Sequence, residues 1–383
     1  MLLKDALKLN ISINEDIRLI AGSGGLHREV KKVGILDHEH GDTITISFEN
    51  GEFVLSTLLI IKDHPNQMLS FVKSLYQANV SCFALKTIHF KEFPPEVIEF
   101  ANNHDFPIFL FDSVYFEDII TDLNMYIRLE SDIRIQEYKV DDLLSGDYNR
   151  YRVRSIAYDI NAAFEDHHLV INCLTKSPSS KLNPSFYKNS SLILEKNHSI
   201  FPYHNNIMLI LSFSDSNMLA DNKRIIDLLS VIGITTESFY IGISNSHDLI
   251  SELDKSINES LYALSYLKIQ GINIANFSNL GVNRALLPLK SNPWLLDYYD
   301  SIISPLIKYD RDNETQLLFT ATEYIKYGGD IKKTSVTVFQ HPNTIRYRID
   351  KIKKILSSVV DSTSFYTELA IAIKLHLILT KAL

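Results

Sequence analysis

The chain has 383 residues, 45% of them apolar and 22% charged, with 38 Lys or Arg against 46 Asp or Glu and a net charge of −8. That length predicts two or three domains, and that composition excludes a disordered or fibrous chain. No uncharged apolar run reaches the ~18 residues that a membrane span needs.

The opening, Met1-Leu2-Leu3-Lys4-Asp5, reads as an amphipathic charged segment and not as a secretory leader. From there to about Asp122, strands alternate with helices. Gly51–Thr57 predicts a buried strand, Pro65–Ala78 a helix and Val80–Leu85 a second strand. A helix opened by Pro94-Pro95-Glu96 runs to Asn102, and Phe106–Phe111 is a third strand. This alternation implies a parallel α/β layer. Open α/β sheets bind ligands at the carboxyl ends of their strands. Ser56 and Thr57 end one strand and Lys86 ends the next, which suits a polar or anionic metabolite. The alternative is that the hydroxyls cap a helix and the ammonium is solvated, and both readings stay open.

Two local patterns invite chemistry without supporting it. His38, His40 and Asp42 share a polar run that includes Gly41, which reads as an exposed loop and not as a metal site. Ala21-Gly22-Ser23-Gly24-Gly25 lacks the Gly-Lys-Ser/Thr ending of a phosphate loop and reads as a turn. No metal or cofactor is expected. Cys82 and Cys173 both have apolar neighbours, as small core residues of a reducing compartment do, and the protein is expected to be cytoplasmic.

Residues 124–149 read as a helical connector, with Leu123, Ile127, Ile133 and Val140 lining either a seam between subunits or one face of a single packed helix. In the middle region strands are expected at 169–174, 207–213 and 238–243, and helices at 222–232 and 246–268. His167 and His168 read as helix-end polar residues. Asn292-Pro293 and Ser304-Pro305 punctuate the approach to a last, all-helical region, and a final helix is expected over 364–379.

The most informative segment lies in that last region. Ile331–Val338 is a short apolar-periodic helix, followed by Phe339-Gln340-His341 and then a longer helix from Pro342. At about 100° per residue, Ile345, Ile349, Ile352 and Ile355 fall on one side of it, and Asn343, Arg346, Tyr347, Asp350, Lys353 and Lys354 on the other. Pro342 fits the first helical position, where its missing N–H costs nothing, with Gln340 or His341 near the N-cap. Between Glu323 and Lys354 eight Lys or Arg meet three acids, a local +5 that leaves −13 for the rest. A basic island on an acidic protein favours local phosphate neutralisation. Two short helices, a tight turn, and Asn and Arg on a basic face are the layout of a DNA-binding helix-turn-helix. The residues expected at DNA are Gln340, His341, Asn343, Thr344, Arg346, Tyr347, Arg348, Lys351, Lys353 and Lys354. Asn suits adenine and Arg suits guanine in the major groove.

The run Tyr324–Asp330, then Thr334-Ser335, then His341–Arg348 resembles the C-terminal helix-turn-helix of PucR/CdaR-type bacterial regulators. Pro342 stands where that signature has Arg, and Ser335 where it has Ala. Ala21-Gly22, Gly51–Thr57, Ala84-Leu85-Lys86, Pro107-Ile108 and Phe116–Ile119 resemble the PucR N-terminal domain, with Leu58 in place of the usual Gly after Thr57. The middle region looks like the degenerate GGDEF-like domain of CdaR proteins. It carries no Gly-Gly-Asp/Glu-Glu-Phe turn, so no cyclase chemistry is expected. The resemblance implies an α/β and α+β multidomain protein. Its parts are an N-terminal α/β sensor domain (1–123), the connector (124–149), a degenerate GGDEF-like domain (150–290) and an all-α helix-turn-helix domain (291–383). It implies a homodimeric, sequence-specific DNA-binding transcriptional regulator and not an enzyme. The operator would be duplex DNA, and the effector a small metabolite of purine or sugar-acid catabolism. The rivals are a protein-interaction scaffold without DNA affinity and a residual nucleotide-processing enzyme.

Overall fold

Short apolar runs separated by amphipathic helices build the first of two five-stranded sheets. Its strands are β1 (Arg18–Ala21), β2 (Lys32–Ile35), β3 (Glu52–Ser56), β4 (Cys82–Lys86) and β5 (Ile108–Phe111), in the order β1-β5-β4-β3-β2. Helices α1 (Met68–Gln77) and α2 (Pro95–Asn103) make the β3–β4 and β4–β5 crossovers; β2 to β5 run parallel, while β1 closes the edge antiparallel to β5. Side chains of the inner strands are covered on both faces, as a parallel sheet demands. Phe53, Phe83, Phe109 and Phe111 are all at most 1% exposed. The computed structural model describes residues 1–7, 16–39, 43–177, 184–215 and 222–381. They divide into two compact units, one essentially Met1–Gln136 and the other beginning at Glu137.

Two turns in the first unit depend on backbone conformation. Gly22 has φ +74°, and a Cβ there would stand 2.0 Å from the Phe106 carbonyl oxygen, so only glycine fits. Leu58, after Thr57, holds a left-handed φ of 52° and ψ of 35°. Its side chain is 1% exposed in the core with Ile61, Met68 and Val54. A position suited to glycine is thus held by a buried leucine.

Helix α3 (Phe116–Ser145) is continuous across the expected connector. Leu123 is buried in the N-terminal core and Val140 in the next one, so two of the four seam candidates are already covered. After α4 (Arg150–Ile160) come β6 (His167–Thr175), β7 (His198–Tyr203), β8 (Asn206–Phe213), α5 (Asn222–Val231), β9 (Phe239–Ile243), α6 (Leu253–Gln270) and β10 (Ile274–Asn276). The sheet order is β10-β9-β6-β8-β7, with only the β9–β10 pair parallel. Helix α6 sits against β9 closely enough that a Cβ at Gly242 would meet the Leu264 nitrogen at 2.4 Å. His167 and His168, expected at a helix end, open β6 instead, and the helix expected from residue 246 starts at Leu253.

The rest is helical: α7 (Pro293–Asn313), α8 (Leu317–Lys326), α9 (Ile331–Thr337), α10 (Pro342–Leu356) and α11 (Phe365–Lys381). Ile302, Leu306, Leu317, Ala321, Ile345, Ile349, Ile352 and Leu369 form their common core. Leu375 and Ile378 of α11 share a second core with Ala263 and Leu267 of α6. Among the described residues no helix is long and apolar enough to cross a membrane.

Candidate nucleic-acid interface

Helix α9 starts where Gly328 (φ +64°) and Gly329 (φ +84°) turn the chain out of α8. Asp330 caps it, its Oδ1 accepting from the amides of Lys332 (2.9 Å) and Lys333 (3.1 Å). Thr334 and Ser335 are buried, and each hydroxyl is returned to the backbone, Thr334 to Asp330 O and Ser335 to Lys332 O. The serine is therefore accommodated at the helix crossing. The turn runs through Phe339, at φ 53° and 90% exposed, and the Gln340 amide donates back to Ser335 O at 3.0 Å.

Pro342 is the first residue of α10 and His341 is its N-cap, with Nδ1 accepting from the Asn343 amide at 3.2 Å. Ile345, Ile349, Ile352 and Leu356 bury one face. The stripe thus closes on Leu356, while Ile355 is only partly buried. Gln340, His341, Asn343, Arg346, Tyr347, Lys353 and Lys354 are exposed, as is Asp350, and Thr344 is half-buried. Arg346 Nη1 donates to Asn343 Oδ1 at 2.8 Å.

Two of the residues expected at DNA are engaged inward. Arg348 is half-buried and donates through Nη1 to Thr320 Oγ1 at 2.9 Å. Lys351 is half-buried with Nζ 4.9 Å from the centre of the Tyr309 ring. Both tie α10 to neighbouring helices. Lys353 is exposed but lies over Phe365, 5.4 Å from its ring centre.

Two of the three residues expected to hold a metabolite, Ser56 and Lys86, are bonded within the fold. Ser56 is 1% exposed; its hydroxyl donates to Leu36 O (2.7 Å) and accepts from the Leu58 amide (2.9 Å). Lys86 Nζ donates to Val114 O at 2.8 Å and lies over Tyr115. Thr57 is half-buried at the strand end. Cavities lie elsewhere among the described residues. One of about 410 Å³, at the carboxyl ends of β9 and β10, is lined by Ile226, Ile243, Tyr266, Asn276 and Asn279 among others. Another of about 320 Å³ is polar, with Arg28, Lys31, Asn50 and Asn79. Among the described residues no group of three His, Cys, Asp or Glu could hold a metal. His40 and Asp42 lie outside the described residues.

Sequence reasoning missed a buried polar network on the α6 face of the second sheet. His168 and Asn172, both 0% exposed, alternate along β6. His168 Nε2 meets Ser256 Oγ at 2.8 Å, and Asn172 Nδ2 donates to Ser260 Oγ at 2.7 Å. His247 lies between Glu259 (3.0 Å) and Glu252 (3.3 Å). Burial drives the His168 pKa down to about 4. Burial also opposes the charge on His247, but its carboxylate partners outweigh that and raise its pKa. Glu259 is lowered, with burial outweighed by bonds from His247 and Asn245. The helical spacing of Ser256, Glu259 and Ser260 was the available signal.

Residues 317–375, which span α8, α9, α10 and most of α11, match the PucR C-terminal helix-turn-helix domain, and residues 5–127 match the purine catabolism regulatory protein-like family. Two separate stretches of the chain are thus similar to parts of PucR-type regulators. Similar Bacillus subtilis proteins include the proline-responsive transcriptional activator PutR, 30% identical over 146 residues, which are 37% of this chain and 35% of PutR. The purine catabolism regulatory protein is 32% identical over 101 residues, 26% of this chain and 18% of that one. The DNA-binding transcriptional activator AdeR is 27% identical over 125 residues, 31% and 29% of the two chains. The chain thus spans at most about a third of the length of these relatives.

Proposed function

We propose that this chain is a sequence-specific DNA-binding transcriptional regulator, working as a homodimer and answering to a small metabolite. The observation that carries the reading is α10. It is capped by His341, begins at Pro342, is buried on its Ile face, and presents Asn343, Arg346, Tyr347 and Lys354 to solvent. Pairing two such helices on a palindrome supplies affinity that one helix-turn-helix lacks. The named relatives, all regulators, support this reading over an enzymatic one. We read the middle sheet as a degenerate GGDEF-like fold without its chemistry.

For the effector, the cavity at β9 and β10 has the make-up of a small-molecule site, with mostly apolar walls, a tyrosine and two carboxamides. The relatives' names point first to small nitrogen compounds such as amino acids or purine products.

The test is selection of genomic DNA fragments by the purified chain, followed by titration at several salt concentrations. The expected result is a palindromic site whose affinity falls steeply with salt. Indifference to sequence and salt would sink the regulator reading. Thermal shift against a metabolite panel, repeated on the cavity-filling variant Ala275→Phe, tests the effector site.

A further inference from the structure

The loops that lead into β2, β3 and β4 meet at the amino ends of these parallel strands, opposite the ends where open α/β sheets usually hold ligands. Backbone bonds join them: the Lys31 amide donates to Gly51 O at 2.7 Å, and the Gly51 amide to Asn79 O at 3.2 Å. Gly51 (φ +90°) and Asn79 (φ +57°) turn the chain there. A Cβ at Gly51 would stand 2.9 Å from the Lys31 stem, so glycine leaves room for that side chain. The polar cavity of about 320 Å³ lies at this junction, with Arg28, Lys31, Asn50 and Asn79 in its wall. That volume suits a small metabolite.

The acids around this cavity have cations of their own. Glu29, also in the wall, has Oε1 3.9 Å from Arg134 Nη2. Glu49 and Glu52 share the ammonium of Lys32, at 3.2 and 2.9 Å. Arg28 and Lys31 differ: among the described residues neither has a carboxylate partner. Arg28 is half-buried over the rings of Tyr76 and Phe106, 5.6 and 5.5 Å from their centres, and its Nη1 donates to Val80 O at 3.0 Å. Two rings and one carbonyl thus hold the guanidinium in place and leave most of its N–H donors unused. Lys31 is exposed beside it in the wall. A guanidinium drawn partly out of water without an anion is a costly arrangement, which a bound oxyanion would offset.

We propose that this cavity binds a small oxyanion, a carboxylate or phosphate group on a polar body of metabolite size. The Arg28 fork, fixed in the wall, takes two of the oxygens, and Lys31 closes on the same group. The carboxamides of Asn50 and Asn79 bond hydroxyl or amide groups on the body. The site is distinct from the cavity at β9 and β10 and rests neither on that assignment nor on DNA binding.

The experiment is calorimetry and thermal shift on the full chain with inorganic phosphate, glycerate and glycerol, each against sodium chloride at equal ionic strength. At least one of the two anions should bind and stabilise, and which one does tells phosphate from carboxylate. Glycerol, which lacks the charge, should do neither. Lys31→Met, at an exposed position, should melt like wild type and weaken binding about tenfold or more, the loss of one charge-assisted bond. Arg28→Lys keeps the charge but loses the fork, and should weaken binding by a similar factor. If Arg28→Lys melts early, Lys31→Met alone decides. Glu29→Gln should bind at least as tightly, since the charge it removes opposes the ligand. Ala275→Phe, in the other cavity, should leave the response unchanged. The proposal is overturned if neither anion acts beyond the salt control, if glycerol matches glycerate, or if Lys31→Met binds at wild-type strength. Loss of binding in Glu29→Gln overturns it as well, because the cavity would then be holding an amine. Loss of binding in Ala275→Phe does the same by placing the anion at β9 and β10.

Discussion

Arg348 Nη1 donates to Thr320 Oγ1 at 2.9 Å, while the same hydroxyl donates to Gln316 O at 2.7 Å. The bond joins the recognition helix to α8 and assigns opposite roles to two arginines in one helical turn. Arg348→Ala should cost stability, about 1–2 kcal/mol for a lost charge-assisted bond, and leave the base preference intact. Arg346→Ala should leave the melting temperature in place and lower operator affinity by about 1–3 kcal/mol. Melting curves and operator titrations on both variants check this. The reverse pattern would place the DNA face on the wrong side of α10.

The bounds of this region were legible because several local signals coincide. Pro342 favours the first position of a helix, the Ile spacing sets the buried face, and Asp330 is an N-cap residue, although Pro305, read in the same way as punctuation, lies inside α7. What could not be read was the inward turn of Arg348 and Lys351. At about 100° per residue they flank the buried stripe, and whether a long side chain snorkels outward or folds back depends on Thr320 and Tyr309, which are distant in sequence. In the N-terminal sheet the inner strands stood out as apolar runs. The edge strands β1 and β2 are four residues each and begin with Arg18 and Lys32, too short and too charged to show a period.

Lys332, Lys333 and Lys354 are exposed, with the first two on the opening turn of α9. The first helix of a helix-turn-helix crosses the DNA backbone. Each Lys→Ala change should therefore weaken specific and non-specific duplexes alike and reduce the slope of log affinity against log salt by about one. Fluorescence anisotropy at several salt concentrations would show it. An unchanged slope for Lys332→Ala would remove α9 from the backbone contact.

Leu58 offers a test of how the N-terminal turn is held. Its left-handed backbone costs about 1–2 kcal/mol relative to glycine, and its buried side chain contributes about 2–5 kcal/mol. Leu58→Gly should be destabilising because the core loss exceeds the strain relieved. Leu58→Ala should be worse still, since it loses the side chain and keeps the strain. Urea denaturation of the full chain would rank the three, and alanine more stable than glycine would contradict the backbone assignment.

The buried histidines predict how stability depends on pH, and the signs differ between them. His168 falls from 6.5 to about 4 on folding, so between those values the unfolded chain takes up a proton that the folded chain refuses. Acidification through that window costs stability, on the order of 3 kcal/mol by the time it is complete. His247 is raised, so its contribution is present below pH 6.5 and is lost as pH climbs through its folded value. Glu259 is lowered, so its contribution is present above 4.5 and is lost only at stronger acidity. His168→Gln keeps an amide able to reach Ser256 and removes the titration. The variant should lose the His168 share of the stability gradient between pH 6.5 and 4.5, leaving the shares of His198 and His376, which burial also lowers, and keeping the decline on the alkaline side. Melting temperatures measured across that range would decide it. A gradient as steep in the variant as in wild type would show that another group carries the acid sensitivity.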